Sequence, residues 1–459
     1  MFRMLHSLAI VGFMAPVPLL LVGSNVPHGS SSVFPFPTHQ ITLANGLQVV
    51  VVPFDAPGLM AHWVVVRVGS RNEIEPGHSG FAHFFEHMMF RGTQKYSEER
   101  YNALIKRMGA DSNAFTSDDL TAYHTLAGAE SLPQIMEIES DRFMNLHYGK
   151  EAFQKEARAV LGEYNKNYSF PENSIEEKLY DAAFQIHTYK HTTMGFLRDI
   201  EDMPNQYDYS LMFYDRYYRP ENCILLVVGD VKPEQAFALA ERTFGAWKRG
   251  SYTVKIPQEP LQSAEKQLRI PWKNPTLPYL TVGYHGPAFS TRQKDMPSLD
   301  LLSQIYFSET SPLYRKLVIE DQVVDYLSGG AADHRDPNLF IISARIKEEG
   351  RIDEVRQILD DALESLKNSL VDTRRLENTK SHFKFAFQMR LDTVDAVAAT
   401  LAHILQLTAN PDGYRELYQT YESLTPEDLR DAARKYFRKE NRTVVILTAE
   451  KKPGAGARP

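Results

Sequence analysis

Two histidines and a glutamate fall within five consecutive positions, His83-Phe84-Phe85-Glu86-His87. On a helix, residues four apart lie one above the other on the same face, so His83 and His87 can present two imidazoles to one metal ion. Glu86 is three residues from His83 and next to His87, which brings its carboxylate to the rim of the same site. Two neutral imidazoles, an open coordination position and an adjacent carboxylate are the parts that activate water for hydrolysis. A catalytic zinc ordinarily takes three protein ligands, so a third must come from elsewhere in the chain. Cys223 is the single cysteine, which excludes a Cys-based zinc site and an intrachain disulfide and leaves His and carboxylate as the available ligands. A helical pattern over 150–167 offers Glu151, Glu156 and Glu163. Glu156 and Glu163 are about two turns apart and share a face, and spacing alone does not choose between them.

The elements around these residues can be read from periodicity and breakers. Gly77, Ser79 and Gly80 interrupt the chain before the histidine helix; Ser79 is its expected N-cap, and the helix should end near Gly92. An Asn45-Gly46 turn marks a hairpin over 40–53. Further strands are expected at 63–68, 113–124 and 223–228, and further helices at 96–108, 130–146, 150–167, 174–184 and 232–249. The second half repeats this order, with strands at 279–284, 322–329, 338–346 and 443–447 and helices at 296–307, 351–368 and 372–408. It contains no second H-x-x-E-H. The fold class is α+β in two similar halves, which suggests an internal duplication. The expected organisation is a leader at 1–32, a zinc-binding domain at 33–249, a linker at 250–265, a second domain at 266–449 and a tail at 450–459.

A chain of 459 residues is too long for one core. Its formal net charge of -7 gives no basic footprint for nucleic acid. Arg3 and His6 precede an apolar run over 8–22 that Pro16 and Pro18 interrupt, followed by an uncharged Ser-rich stretch. This pattern predicts a secretory signal peptide and export, to a periplasm or beyond the cell. No cysteine near the run could carry a lipid anchor, and no later segment is apolar enough to span a bilayer.

The stretch 69–93 runs from Gly-Ser-Arg-Asn-Glu through His-Phe-Phe-Glu-His-Met-Met-Phe-Arg-Gly-Thr. It resembles the pitrilysin/insulinase peptidases, which are inverzincins, and among them the branch that contains mitochondrial processing peptidase. That resemblance implies a zinc ion held by His83, His87 and a glutamate about 76 residues further on, and Glu163 stands 76 residues beyond His87. It also implies a supporting glutamate seven residues before the ligand, here Glu156, which would orient a ligand histidine. Glu86 would be the general base that takes a proton from the attacking water and passes it to the leaving amine. Asn113-Ala114-Phe115-Thr116 resembles the strand along which substrate backbone pairs, making Asn113, Ala114 and Phe115 candidate substrate contacts, with Tyr123 beside them. Tyr218-Arg219-Pro220-Glu221-Asn222 followed by Gly229-Asp230-Val231 resembles the family's closing element of the first domain. Phe84, Phe85, Met88, Met89 and Phe90 are expected to pack around the metal helix, and His78, His187 and His191 to lie outside the metal site.

The resemblance extends in domain order over nearly all of 38–448 and implies two homologous domains that clasp a chamber around an unfolded peptide. One departure stands out. Members active alone carry an Arg and, seven residues later, a Tyr that bind substrate near the scissile bond. Tyr326 aligns with that Tyr, but Ile319 occupies the Arg position and Arg315 is four residues too early. This pattern implies the zinc subunit of a pair, with a homologous subunit supplying the Arg/Tyr pair. The competing expectations are a homodimeric oligopeptidase, a non-catalytic structural subunit, and a zinc-stabilised peptide-binding module. A structural subunit predicts a damaged metal motif, and a structural zinc needs no base such as Glu86.

Overall fold

In the computed structural model, which describes residues 33–450, the β-branched run after Asn45-Gly46 forms the second arm of a hairpin. β1 (His39–Thr42) and β2 (Gln48–Pro53) pair antiparallel across that turn. The chain continues through β3 (Leu59–Val66), α1 (Phe81–Met88), α2 (Glu98–Arg107), β4 (Asp111–Thr116), β5 (Thr121–Gly128), α3 (Leu132–Asn145), α4 (Lys150–Asn167) and α5 (Pro171–Ala183). α6 (Leu197–Asp202), α7 (Tyr207–Tyr217), β6 (Cys223–Gly229) and α8 (Pro233–Phe244) complete the first half. The first sheet has the order β1-β2-β6-β3-β5-β4; β2 and β6 run parallel and the other neighbours antiparallel. Every residue of β6 is buried, as expected for a near-continuous apolar strand covered on both faces.

The second half begins with β7 (Lys266–Trp272), β8 (Tyr279–His285) and α9 (Asp295–Phe307). A short α10 (Pro312–Tyr314) runs into a π-helical turn over Arg315–Glu320. β9 (Val324–Ala331), β10 (Leu339–Ile346), α11 (Ile352–Asn368), α12 (Thr373–Met389), α13 (Val394–Thr408), α14 (Gly413–Ser423), α15 (Pro426–Tyr436) and β11 (Arg442–Ala449) follow. The second sheet has the order β7-β11-β8-β10-β9, with β7 and β11 parallel and the rest antiparallel. Set beside the first sheet, β7, β11, β8, β10 and β9 occupy the places of β2, β6, β3, β5 and β4, with the same directions. The two halves share one topology, and β1 is an addition to the first.

The halves exchange helices. α13 packs on β3 and β6 of the first sheet, so Trp63, Val65, Leu226 and Val228 share one apolar core with Val397, Leu401 and Leu405. In return, Ile175, Leu179 and Ala183 of α5 pack against Tyr279, Val445 and Leu447 of the second sheet. A sheet with a bare apolar face must bury it, and here each half covers a face of the other. The remaining face of the first sheet carries a separate core with α1, α3, α4, α7 and α8, and this layer holds the histidine helix.

Several expected elements differ. The segment 113–124 is two strands, because Ser117-Asp118-Asp119 forms a turn closed by Ser117 N–H donating to Leu120 O at 2.8 Å. The helix expected over 372–408 is broken at 390–393, where the Thr393 hydroxyl accepts from Ala396 N–H and caps α13. β7, α6, α7, α14 and α15 were not expected from periodicity. The predicted signal peptide, and all of the predicted tail beyond Glu450, lie outside the described residues.

Candidate metal centre

α1 is short, with eight residues, and its ends are fixed from outside. Gly80, at φ +93°, is the N-cap, not Ser79. A Cβ at Gly80 would lie 2.4 Å from Ile200 Cδ1, in a backbone conformation that L-residues rarely adopt. The free N–H groups of the first turn are met by a buried carboxylate: Glu73 accepts from Gly80 N–H and Ala82 N–H, both at 2.7 Å. Ser79 instead donates its hydroxyl to Asp199 at 2.5 Å. Burial pushes the Glu73 carboxyl well above the ordinary carboxyl range, and its oxygens meet the positive end of the helix as hydrogen-bond acceptors. The apolar face of α1 locks it in place. Phe84 meets Phe153 of α4 edge-on at 5.0 Å, and Phe85 stacks on Phe213 of α7 at 5.3 Å. Met88 and Met89 are fully buried and Phe90 partly so.

Tyr123 does not line a substrate surface, as was considered from the sequence. It is fully buried, because its side chain points from β5 into the core between sheet and helices, where its hydroxyl donates to Phe85 O at 3.1 Å. It therefore holds α1 from beneath.

α4 runs alongside α1 and presents two carboxylates to His87, one at each ring nitrogen. Nδ1 of His87 lies 2.9 Å from Glu156 Oε1, and Nε2 lies 3.5 Å from Glu163 Oε2. Nε2 of His83 is 3.7 Å from the same Glu163 oxygen. The ligand atoms of His83, His87 and Glu163 all lie within 4.8 Å of one another. Ligands about 2.0–2.2 Å from a tetrahedral zinc are separated by about 3.3–3.6 Å, close to the two imidazole–carboxylate distances. Apart from the 3.5 Å approach of Glu163, His87 Nε2 is buried with no hydrogen-bond partner among the described residues, an arrangement that costs free energy unless a cation or water fills it. The residues fit a zinc ion. Glu151, the other candidate on this helix, is exposed on its first turn.

The two carboxylates favour positive charge at His87. Burial works against charge on His87, but its contacts with Glu156 and Glu163 outweigh burial and raise its pKa to about 9. On His83 burial dominates and the pKa falls. Burial alone would raise Glu156, yet His87 and Arg91 hold it below the ordinary carboxylate range. Arg91 carries no spacing signal in the sequence that marks it for this role. One of its nitrogens lies 2.5 Å from Glu156 Oε2, and it also grips Glu98 through both carboxylate oxygens. Arg91 thus orients Glu156, which orients His87.

Glu86 is half-buried beside this cluster, and the Thr116 hydroxyl at the end of β4 donates to its Oε2 at 2.7 Å. β4 is an edge strand, so Asn113, Ala114 and Phe115 lie on an unpaired border; Ala114 N–H donates to Asn113 Oδ1 at 2.9 Å. Tyr326 lies elsewhere, on the edge strand of the second sheet, where its hydroxyl donates to Ser328. Arg315 pairs with Glu320 at 2.8 Å, and Ile319 is exposed. His78 stacks on Tyr209 at 3.8 Å and meets Gln206. His187 and His191 are buried and bond Asp336 and Thr192.

Comparison with known proteins is consistent with this geometry. Residues 58–196 match the family described as Insulinase (Peptidase family M16), and residues 206–383 match Peptidase M16 inactive domain. The chain belongs to the insulinase family of peptidases. It is 28% identical to the zinc protease PqqE of Helicobacter pylori, covering 95% of this chain and 97% of that protein. It is 22% identical to a probable mitochondrial-processing peptidase subunit beta of Schizosaccharomyces pombe, over 86% and 88% of the two chains. The crystal structure of a protease from Helicobacter pylori superposes with a TM-score of 0.84 at 28% identity, covering 90% of this chain and 99% of that one. The match to the domain described as inactive falls largely on the half without H-x-x-E-H. Among the described residues, no helix is long and apolar enough to cross a membrane.

Proposed function

We propose that this insulinase-family chain is a zinc endopeptidase acting on peptides or unfolded polypeptide segments. The observation that carries the reading is the convergence of His83, His87 and Glu163 within 4.8 Å, with the Glu86 carboxylate fixed at their rim. These three residues would hold the zinc, and Glu156, braced by Arg91, would fix the ring of His87. Zinc bound there supplies a Lewis acid that brings the pKa of water down to about 7 and polarises a carbonyl. Glu86 takes the proton of the attacking water and delivers it to the departing amine, as a general base and then acid. Substrate backbone pairs along the free edge of β4, past Asn113, Ala114 and Phe115.

The partner reading follows from two features. The Arg position is filled by Ile319 in a π-helical turn, so this chain lacks half of the Arg/Tyr pair. The exchange of α5 and α13 also builds one core across both halves, so the halves cannot swing apart without tearing it. A clasp that opens to admit a peptide would therefore have its second jaw in another chain. A homologous subunit bearing the Arg/Tyr pair meets both needs. The N-terminal signal pattern argues for export, with the periplasm as the site of action.

The test measures zinc content and hydrolysis of a quenched-fluorescent peptide library. It compares the chain alone, the chain mixed with an Arg/Tyr-bearing homologue, and Glu86→Gln in the same mixture. Zinc bound, turnover in the mixture and its loss in Glu86→Gln support the reading. Full activity of the single chain would overturn the two-subunit part; zinc bound with no cleavage in any mixture would overturn the enzyme.

A further inference from the structure

We propose that Thr116 is the positioning residue of the general base. The inference deepens the reading above and rests on Glu86 being that base. A glutamate carboxylate turns about a terminal torsion with broad wells, and a free carboxylate beside a cation can swing into coordination and cease to be a base. In this protein one oxygen is taken. Thr116 Oγ1 donates to Glu86 Oε2 at 2.7 Å, within the range of a strong bond to an ionised acceptor. Oε1 accepts no hydrogen bond among the described residues, which leaves one oxygen pinned and the other available for a proton.

The donor is itself held. Thr116 is buried, and its β-branched side chain is stiff at χ1. It ends β4 opposite Thr121, whose own hydroxyl is committed to Val68 O at 2.9 Å and does not compete for Glu86. The turn that follows is anchored through Asp118, which receives Ser70 Oγ at 2.8 Å and lies 2.8 Å from His334 Nε2. Thr116 belongs to the same edge strand that is proposed to receive the substrate backbone. One rigid element would then index both the base and the scissile bond, fixing their separation without any further contact. A hydroxyl is required for this and a methyl is not, so valine matches the shape while deleting the donor.

The test uses the zinc-loaded enzyme, assembled with its homologous partner where turnover requires it, and one quenched-fluorescent peptide. Wild type is compared with Glu86→Gln, Thr116→Val, Thr116→Ala and Thr116→Ser. With zinc content and Tm unchanged, Thr116→Val lowers kcat by about 10- to 100-fold, the loss expected for a hydrogen bond to a charged group, and leaves KM within about twofold. Thr116→Ser restores most of the rate. Thr116→Ala repeats the deletion should valine disturb folding. A Val or Ala variant with wild-type kcat, or a loss that serine does not recover, overturns the proposal while leaving the peptidase reading intact. Absence of turnover in wild type, or turnover surviving Glu86→Gln, overturns that reading and this inference with it.

Discussion

The ring of His87 is gripped from both sides, and the grip is where single substitutions should act. Glu156 Oε1 lies 2.9 Å from its Nδ1, which leaves Nε2 facing Glu163. An outer-sphere carboxylate of this kind fixes the tautomer and orientation of a ligating imidazole. Glu156→Ala is therefore expected to weaken zinc by about 10- to 100-fold, measured by competition with a chromophoric chelator, and unchanged affinity would remove Glu156 from the role. Arg91→Met should act in the same direction and less, because it loosens Glu156 without deleting it. Much of this site was legible beforehand. The i,i+4 histidines and Glu86 follow from local geometry, but Glu163 was picked out only by resemblance, since helix periodicity makes Glu156 equally eligible. Thr116 and Arg91 lay inside stretches already singled out and went unread. Threonine and arginine have many structural uses, and nothing in spacing says which carboxylate they will meet across the fold.

α1 owes its position less to its own propensity than to the groups at its ends. Eight residues make a helix too short to persist alone. Its first turn depends on Gly80 at φ +93° and on the two N–H bonds to Glu73. Gly80→Ala should cost about 1–2 kcal/mol from backbone strain, with further crowding against Ile200. Gly77→Ala is the control: φ is +85°, yet a Cβ there meets nothing within 4 Å. Both variants carry the backbone strain, so the expected outcome is a Tm loss with retained zinc for Gly77→Ala, against a larger Tm loss and weaker zinc binding for Gly80→Ala. Equal zinc affinity in the two would mean that the helix is placed by its aromatic face alone. Elements were readable from sequence where periodicity is long, as in α4 and α11, or where a turn is strongly encoded, as at Asn45-Gly46. They were misread where the signal is brief or continuous across a break. The Thr-rich alternation hides the turn at 117–120, and the apolar pattern of α12 and α13 runs on past Thr393. The exchange of α5 and α13 had no local signal, because an amphipathic helix does not state which sheet its apolar face will cover.

Across the whole molecule, the two halves also meet through charge, and the contact lies next to the proposed base. His334 from the β9–β10 loop sits 2.8 Å from Asp118 in the turn after Thr116. Ser70 donates to the other oxygen of Asp118, and Ala332 O faces the second nitrogen of His334. Burial would lower the pKa of His334, but Asp118 and the neighbouring Asp119 outweigh it and raise it to about 9. Burial would raise Asp118, and His334 holds it down instead. A histidine with a raised folded pKa stabilises fully below its unfolded value of about 6.5, and that stabilisation drains away as pH climbs towards 9. Asp118, with a lowered pKa, contributes above its unfolded value of about 3.9 and loses its contribution as pH falls below it. The pair should hold the halves together best at about pH 5–6.5. The shift on His334 corresponds to stabilisation on the order of 3 kcal/mol at most. His334→Gln keeps a donor for Asp118 but removes the titration. Wild type should exceed this variant in Tm at pH 6, and the difference should shrink as pH approaches 9.5. A difference independent of pH would mean that His334 is neutral in the fold and that the halves rely on their shared apolar core. Because Asp118 anchors the turn that carries Thr116, the same variant offers a view of how the second half reaches the chemistry of the first. If the turn loosens, kcat should fall at pH 6 with zinc still bound, as for the loss of Thr116 itself but to a smaller extent.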